Sequence, residues 1–327
     1  MTILIIGAGI VGSIYGWALA QAGHPVRHLV RAGRAGKLAE GIRLDLLDKR
    51  KGYPKRLVGS YAIRAVETLE NPEEYALVIF PGHHYTMSEV LRDVVPRFSA
   101  TDFLFLTQNW DGSAAIDAAL PRNRYVLGDA KAGGSWKDGT LVGALRSVDI
   151  GAVSPESDAL VARVKECFES AGIEALVHEK MLEYLWVQFG MTAGLWPSLV
   201  QAGSFDALFA DRSAVTTALE ATRECFALLE KRGVDLDEHP EVRLYRSKSR
   251  LLNFIAFLVI RQMFKHSEWA QRTSSHALSD PREVGAFYFD VLETGRMLDV
   301  PMPIFSSYRP IIEAFVGDEI HSIAPHR

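Results

Sequence analysis

The sequence predicts an α/β chain, with a doubly wound, mostly parallel sheet domain first and an all-α domain after it. Three observations carry this. Short apolar runs alternate with helix-like stretches through the first half. A glycine-rich turn joins the first run to the first helix, and beyond about residue 179 convincing strands cease. The 327 residues also exceed what one hydrophobic core serves comfortably, which argues for two domains, 1–178 and 179–327.

Ile3 to Ile6 is a continuous apolar, β-branched run, the pattern of a strand buried on both faces. Glycines follow at 7, 9 and 12, and Ser13 to Ala22 then reads as a helix that stops at Gly23. Pro25 to Val30 is the next strand, and later ones fall at Ala76 to Phe80, Phe103 to Thr107 and Tyr125 to Leu127. Helices over Thr86 to Val95 and Ser113 to Leu120 lie between them, after the breakers Pro81-Gly82 and Asn109, Asp111 and Gly112. Gly133 to Val153, rich in Gly and β-branched residues, reads as antiparallel strands added to the sheet. Leu160, Val164, Cys167 and Phe168 line one face of a helix, Gly172 ends it, and Ile173 to Val177 is a last strand. Helices are then predicted over Glu179 to Leu195, Arg212 to Lys231, Val242 to Phe264 and Arg282 to Leu298. Gly233 is a helix stop, and Pro301 and Pro303 punctuate the last one.

Composition excludes several classes. With 48% apolar and 23% charged residues the chain is neither disordered nor fibrous. Lys and Arg number 36 against 40 Asp and Glu, a net charge of −4, which gives no electrostatic reason to expect nucleic acid or an anionic membrane as partner. Cys167 and Cys225 fall inside helical patterns and read as buried hydrophobes, so a disulfide framework is excluded and a cytoplasmic location is expected. The opening Met-Thr-Ile-Leu-Ile-Ile-Gly reads as a strand, not a signal peptide. The apolar run Leu251 to Ile260 is well short of the roughly 20 residues that a membrane span needs.

Gly7-Ala8-Gly9-Ile10-Val11-Gly12 is G-x-G-x-x-G, directly after a buried strand and at the start of a helix, as in a Rossmann-type dinucleotide fold. The first glycine permits the tight turn, the second lets backbone approach a pyrophosphate, and the third lets helix and strand pack closely. The helix N-terminus turns its unpaired N–H groups to the phosphates. About 20 residues on, NAD enzymes place an acid for the ribose 2′-hydroxyl. Here the second strand ends at Arg31, followed by Arg34 and Lys37, with no carboxylate until Glu40. Arg pairs with a 2′-phosphate bidentately, so NADP(H) is expected over NAD(H).

With these residues in view, the chain resembles the ketopantoate reductase (2-dehydropantoate 2-reductase) family. The stretch GAGIVGSIYGWALAQAGHPVRHLVR is similar to that family's opening. Gln108-Asn109 resembles its Q-N-G-x-G, Leu185-Trp186-Val187-Gln188 its L-W-x-K, Asp280-Pro281-Arg282-Glu283-Val284 its R-P-T-E-I-D, and Val300-Pro301-Met302-Pro303 its G-V-P-x-P. The resemblance implies a two-domain NADP(H) oxidoreductase that transfers hydride to the keto group of a small substrate. It also implies that Asn109 lies near the nicotinamide and substrate, that Glu283 binds substrate, and that Ser274 and Ser275 match the family's paired serines. The family's proton-donating Lys is Gln188 here, its two following Asn positions are Thr192 and Trp196, and the glycine of Q-N-G-x-G is Trp110. The family's Lys near the end of the third strand is also missing from Phe80-Pro81-Gly82-His83-His84-Tyr85.

An amide donates a hydrogen bond to an oxyanion but cannot deliver a proton. Gln188, Thr192 and Trp196 recur at four-residue steps, so they share a helix face. That face is expected to look into the cleft between domains, and to hold a carboxylate less well and an apolar or aromatic group better. The substrate is therefore expected to be a small 2-keto-acid-like or imine compound other than ketopantoate. A proton donor would come from His84, Tyr184, His276, Tyr288 or a water. The plainer alternative for the Gln188 face is a helix packed in a core, and for Glu283 an acid favouring its helix dipole.

Two other functions compete: a catalytically silent NADP(H) sensor, and an opine- or hydroxyacid-type dehydrogenase, for which the chain shows no His–Asp pair. No Cys/His spacing suits a metal, and there is no nucleophile elbow or Walker loop. The apolar stretch Leu251 to Phe264 is expected either in the helical core or at the face of a homodimer.

Overall fold

The structure, a computed structural model, describes residues 1–53, 55–246, 254–255, 257–259, 261–262, 266–274 and 278–317. The chain divides into two compact units, Met1–Leu182 with Arg272–Ser274, and Glu183–Gln271 with Ser275–Arg327. The three residues from the helical half join the first unit through Arg272. Its Nη1 donates to the Asp45 carboxylate at 3.1 Å and to the carbonyls of Asp45 (2.8 Å) and Gly143 (3.2 Å).

The first unit holds one sheet built from β1 (Ile3–Ile6), β2 (Val26–Leu29), β3 (Ile42–Asp48), β4 (Arg56–Tyr61), β5 (Ala65–Val66), β6 (Leu77–Phe80), β7 (Asp102–Leu106), β8 (Tyr125–Lys137), β9 (Thr140–Gly151) and β10 (Glu174–Val177). Their order is β4-β3-β9-β8-β7-β6-β1-β2-β5, with β10 beside β9. From β5 to β8 every pairing is parallel. Connections leave β1 to one side toward β2 and the chain returns on the other at β6, so the topological switch point lies between β1 and β6. The apolar runs account for this: Leu77–Phe80 is buried at every position, as a strand covered on both faces must be. Helices α1 (Ile10–Gln21), α2 (Met87–Asp93), α3 (Ala114–Ala119) and α4 (Asp158–Ser170) complete the unit. Ile5, Ile14, Leu104, Val164 and Phe168 belong to its common core.

The predicted strands appear within a residue or two of their expected bounds, apart from two regions. The expected short strand at Tyr125 is instead a long one, β8, that runs to Lys137 and folds back as β9 through Asp138 and Gly139, both at positive φ (49° and 71°). An Asp-Gly pair suits that two-residue hairpin. The antiparallel pair β3–β4 had no sequence expectation. Ile42-Arg43-Leu44-Asp45-Leu46 does alternate apolar and polar, a strand signal that was overlooked, whereas Arg56–Tyr61 does not alternate, and Arg56 bridges the strands to Asp45 at 2.7 Å.

The second unit is helical, and no strand occurs among its described residues. It contains most of α5 (Met181–Ala202), then α6 (Phe205–Ala210), α7 (Arg212–Lys231) and α8 (Arg243–Arg246). Past α9 (Glu268–Ser274), which ends in the first unit, come α10 (Pro281–Met297), α11 (Pro303–Ser307) and α12 (Arg309–Val316). Helix α5 continues past its expected end, through Pro197. An internal proline costs about 3 kcal/mol, and the burial of Trp196, Ser198 and Leu199 on the same turns offsets it. Of the predicted helix Val242 to Phe264, residues 247–253, 256, 260 and 263–264 lie outside the described residues. No described helix is long and apolar enough to cross a membrane.

Candidate functional site

The glycine-rich turn joins β1 to α1, and its three glycines meet different demands. Gly7 takes φ +89°, a conformation side-chain-bearing residues rarely adopt. A Cβ on Gly7 or Gly9 would meet nothing within 4 Å, so this backbone faces open space. A Cβ on Gly12 would sit 3.1 Å from both Ile5 and Pro81, so here the glycine is needed for close packing. Gly9 caps α1 without a side chain, and no acid occupies the first turn. The early N–H groups, Ile10 and Val11 included, are thus left for an anion. Ala8 lies on the same turn, half-buried.

Behind the turn stands His28 of β2, wholly buried. Its Nδ1 is 2.8 Å from the Gly7 carbonyl and its Nε2 3.0 Å from the Tyr61 hydroxyl. A carbonyl only accepts, so Nδ1 carries the proton and Nε2 accepts from Tyr61. Burial lowers the His28 pKa to about 4, and the ring is neutral at pH 7.

Arg31, Arg34 and Lys37 are all exposed just beyond β2. The carboxylate of Glu67 reaches this loop. Glu67 Oε1 accepts the Ala35 N–H at 2.8 Å, and backbone N–H groups at Ala35 and Gly33 hold its pKa below the usual carboxylate range. The positional rule for the second strand does not look as far as β5, so Glu67 was missed in the sequence.

At the carboxyl end of β7, Thr107, Gln108 and Asn109 follow in sequence. Thr107 and Asn109 are buried (5% and 0% exposed) and Gln108 is half-buried. Asn109 spends its amide N–H on the Gly112 carbonyl (2.6 Å), which leaves its Oδ1 as an acceptor. Thr107 Oγ1, Gln108 Oε1 and Asn109 Oδ1 are buried without a hydrogen-bond partner. Unmet buried acceptors cost about 1–3 kcal/mol each. A ligand with amide or hydroxyl donors would satisfy them, and a nicotinamide riboside has both. These residues and the open glycine turn therefore fit a dinucleotide. Trp110 is 1% exposed, a buried indole where the family has glycine.

The next strand brings together residues that the sequence reading did not connect. Lys131 Nζ lies 2.5 Å from Asp129 Oδ2 and 3.2 Å from Asp149 Oδ2. Asp149 Oδ1 meets His178 Nε2 at 3.0 Å, and Gln108 Nε2 approaches Asp129 Oδ1 at 3.4 Å. Asp129 and Asp149 are 6% and 1% exposed. The chain therefore does contain a His–Asp pair, contrary to the sequence expectation. Its members are 29 residues apart and meet only because β10 pairs with β9. The one local signal was Asp-x-Lys, which puts both side chains on one face of a strand.

In the second unit, Gln188 and Thr192 are half-buried on one face of α5. Trp196, third in that series, is only 9% exposed and packs on Phe287 of α10 (4.9 Å between centroids), which also stacks on Phe189 at 4.0 Å. Trp196 thus belongs to an aromatic cluster of the helical core. Glu283 is half-buried in the first turn of α10, where its N–H donates to the capping Asp280 Oδ1 at 3.1 Å. Of the suggested proton donors, Tyr288 is 1% exposed, its hydroxyl donates to the Phe305 and Ser306 carbonyls, and burial raises its pKa. It is a structural hydroxyl. His84 is buried against Tyr85, and Tyr184 is half-buried. Ser275 and His276 lie outside the described residues.

Comparison with known proteins agrees with this architecture. A 2-dehydropantoate 2-reductase of Pyrococcus abyssi (strain GE5 / Orsay) is 22% identical over 246 residues, 73% of this chain and 77% of that protein. A D-mandelate dehydrogenase, solved with NADH and anilino(oxo)acetate, superposes with a TM-score of 0.73 at 14% identity, covering 99% of this chain and 100% of that one. A putative ketopantoate reductase from Ralstonia solanacearum MolK2 gives 0.69 at 19% identity, over 96% and 97%. These likenesses establish a shared fold. Residues 3–151 match the family described as ketopantoate reductase PanE/ApbA, and the chain accordingly carries a ketopantoate reductase family domain.

Proposed function

We propose that this chain is an NADPH-dependent oxidoreductase that reduces a small 2-oxo-acid-like carbonyl or an imine bearing an apolar or aromatic group, and that ketopantoate is not its substrate. The observation that carries the reading is the open, uncapped glycine turn at the switch point of the sheet, with unpartnered acceptors just past the carboxyl end of β7, two strands away. A nicotinamide cofactor supplies the hydride when bound. Gly7 to Gly12 receive its pyrophosphate, Asn109 and Gln108 accept from its amide or ribose donors, and Arg31, with Arg34 and Lys37 near, pairs with a 2′-phosphate. Arg31, Arg34 and Lys37 are exposed cations, and the Glu67 carboxylate that reaches their loop has an oxygen already taken by a backbone N–H group. That balance favours NADPH.

Gln188, Thr192 and Glu283 are assigned to the substrate, Gln188 as a neutral donor to the developing oxyanion and Glu283 as a polar anchor. Ser275 keeps this role from the family resemblance alone. The D-mandelate dehydrogenase relative holds an oxoacetate with an aromatic substituent, in keeping with an apolar preference. Two buried free cysteines, Cys167 and Cys225, suit a reducing cytoplasm. Exposed Phe254, Ile255, Leu258 and Val259 support a homodimer through the helical unit.

The test is NADPH oxidation by purified protein with phenylglyoxylate, other branched or aromatic 2-oxo acids, and ketopantoate, alongside Gln188→Lys. Reduction of an apolar 2-oxo acid and not of ketopantoate is the expected result. Ketopantoate turnover by the wild type would refute the divergence, and tight NADPH binding without any turnover would favour the sensor reading.

A further inference from the structure

A hydride added to a carbonyl carbon leaves an oxyanion that needs a proton, which a side chain must deliver. Gln188 cannot, and Tyr288 is committed to two carbonyls. Resting on the reductase reading, we infer that Lys131 is the catalytic acid, with Asp129, Asp149 and His178 as its positioning residues.

The placement argues for it first. β8 pairs with β7 only as far as Gly128, opposite Leu106. Asp129 and Lys131 lie on the continuation of β8 beyond that last pair, outside the carboxyl end of the parallel strands, where ligands of doubly wound sheets bind. Asp129 is hydrogen-bonded to Gln108, so the cluster is joined directly to the segment whose acceptors lack partners.

Burial is the second argument. Two nearly inaccessible carboxylates share one ammonium here, and such arrangements are costly, often no better for stability than apolar residues of similar volume. Their cost is understandable if the pair keeps Lys131 protonated between turnovers. The ammonium then yields its proton only to a stronger base, and an alkoxide is one.

The step balances. The hydride and its electron pair form the new C–H bond as the dihydronicotinamide is oxidised. The C=O π pair moves to oxygen, which takes a proton from Lys131 Nζ as that N–H bond breaks, and the alcohol results. Lys131, left neutral, is reprotonated through the Asp149 carboxylate it shares with His178. With its side chain 30% exposed, His178 is the member of the cluster most open to water.

The decisive variant is Lys131→Arg, which keeps the positive charge and both ion pairs but cannot release a proton near neutral pH. It should bind NADPH within about threefold of wild type. Its turnover of phenylglyoxylate or another 2-oxo acid reduced by the wild type should fall on the order of 100-fold or more, the usual worth of general acid catalysis. Unchanged turnover in Lys131→Arg would overturn the assignment. If that variant fails to fold, Lys131→Cys followed by aminoethylation restores an ammonium and should restore turnover. Buried Cys167 and Cys225 resist that reagent, and no recovery would count against the acid role. A second readout needs no turnover: acetylation of Lys131 by acetic anhydride, followed by mass spectrometry, should slow when these 2-oxo acids bind the NADPH-loaded protein. A wild type that reduces none of them refutes the reductase reading, whereas a Lys131 whose acetylation none of them slows refutes the present one.

Discussion

His28 ties the stability of the first unit to pH through the same carbonyl that shapes the cofactor turn. Unfolded, it takes up a proton below about pH 6.5; folded, it resists until about pH 4. Between those values the unfolded chain binds more protons, so stability is complete above pH 6.5 and declines as the pH falls toward 4. At about 1.4 kcal/mol per pH unit the interval is worth about 3 kcal/mol, a large share of the 5–15 kcal/mol that holds a typical domain. Because the ring is wholly buried, solvent screening takes little from this figure. Urea unfolding of wild type and His28→Asn at pH 7 and pH 4.5 isolates it. The shorter amide keeps a donor near the Gly7 carbonyl but has no titrating ring, and every other titrating group is common to both proteins. Wild type should lose about 2–3 kcal/mol more than the variant on acidification. Equal losses would mean that His28 does not titrate with folding, and the fixed tautomer argued from Gly7 and Tyr61 would fall with it.

Three further outcomes follow from packing and charge. Gly16→Ala places a Cβ 2.6 Å from His28 Nε2, and the ring is pinned at both nitrogens. The clash should outweigh the ~1 kcal/mol gained in helix propensity, with a net loss of about 1–2 kcal/mol in urea unfolding. Arg50→Met removes the partner of Asp48, whose carboxylate is 2% exposed, and takes away a guanidinium stacked on Tyr53 at 3.8 Å. The loss should be about 3–5 kcal/mol and should largely disappear in the double variant with Asp48→Leu. Arg31→Glu should raise the Kd for NADPH at least tenfold while leaving that for NADH within about threefold, and Glu67→Gln should tighten NADPH modestly, both read by cofactor fluorescence titration.

Legibility from sequence followed the locality of each signal. Strand Ile3–Ile6, the turn at Gly7 to Gly12 and helix Arg212–Lys231 could all be read because each depends on neighbours in the chain: an apolar run, a fixed glycine spacing and a stop at Gly233. In the pair β3–β4 the first strand was legible and overlooked, since Ile42, Leu44 and Leu46 alternate with Arg43 and Asp45, whereas β4 is mostly exposed and shows no alternation; Asp45 pairs with Arg56 across the ladder and with Arg272. Helix α5 ran past Pro197 because buried packing outweighed a local penalty.

The candidate site divides along that line. Its cofactor half is a motif, and motifs are local. Its acid half is assembled from β8, β9 and β10, and Lys131 and His178, 47 positions apart, both meet the carboxylate of Asp149. Reading along the chain, the absence of a Lys at position 188 looks like lost chemistry. Read across the sheet, a lysine stands beyond the last β7–β8 pair with two carboxylates to keep it charged. The two views differ on Gln188→Lys. If catalysis was lost with the helical lysine, restoring it should create activity where there was none. If Lys131 already serves, Gln188→Lys adds a second cation to a working site, and turnover of the wild type's own apolar substrate should drop or stay level while Lys131→Arg lowers it on the order of 100-fold or more in either background. Gain of that activity in Gln188→Lys alone, from a silent wild type, would decide against Lys131.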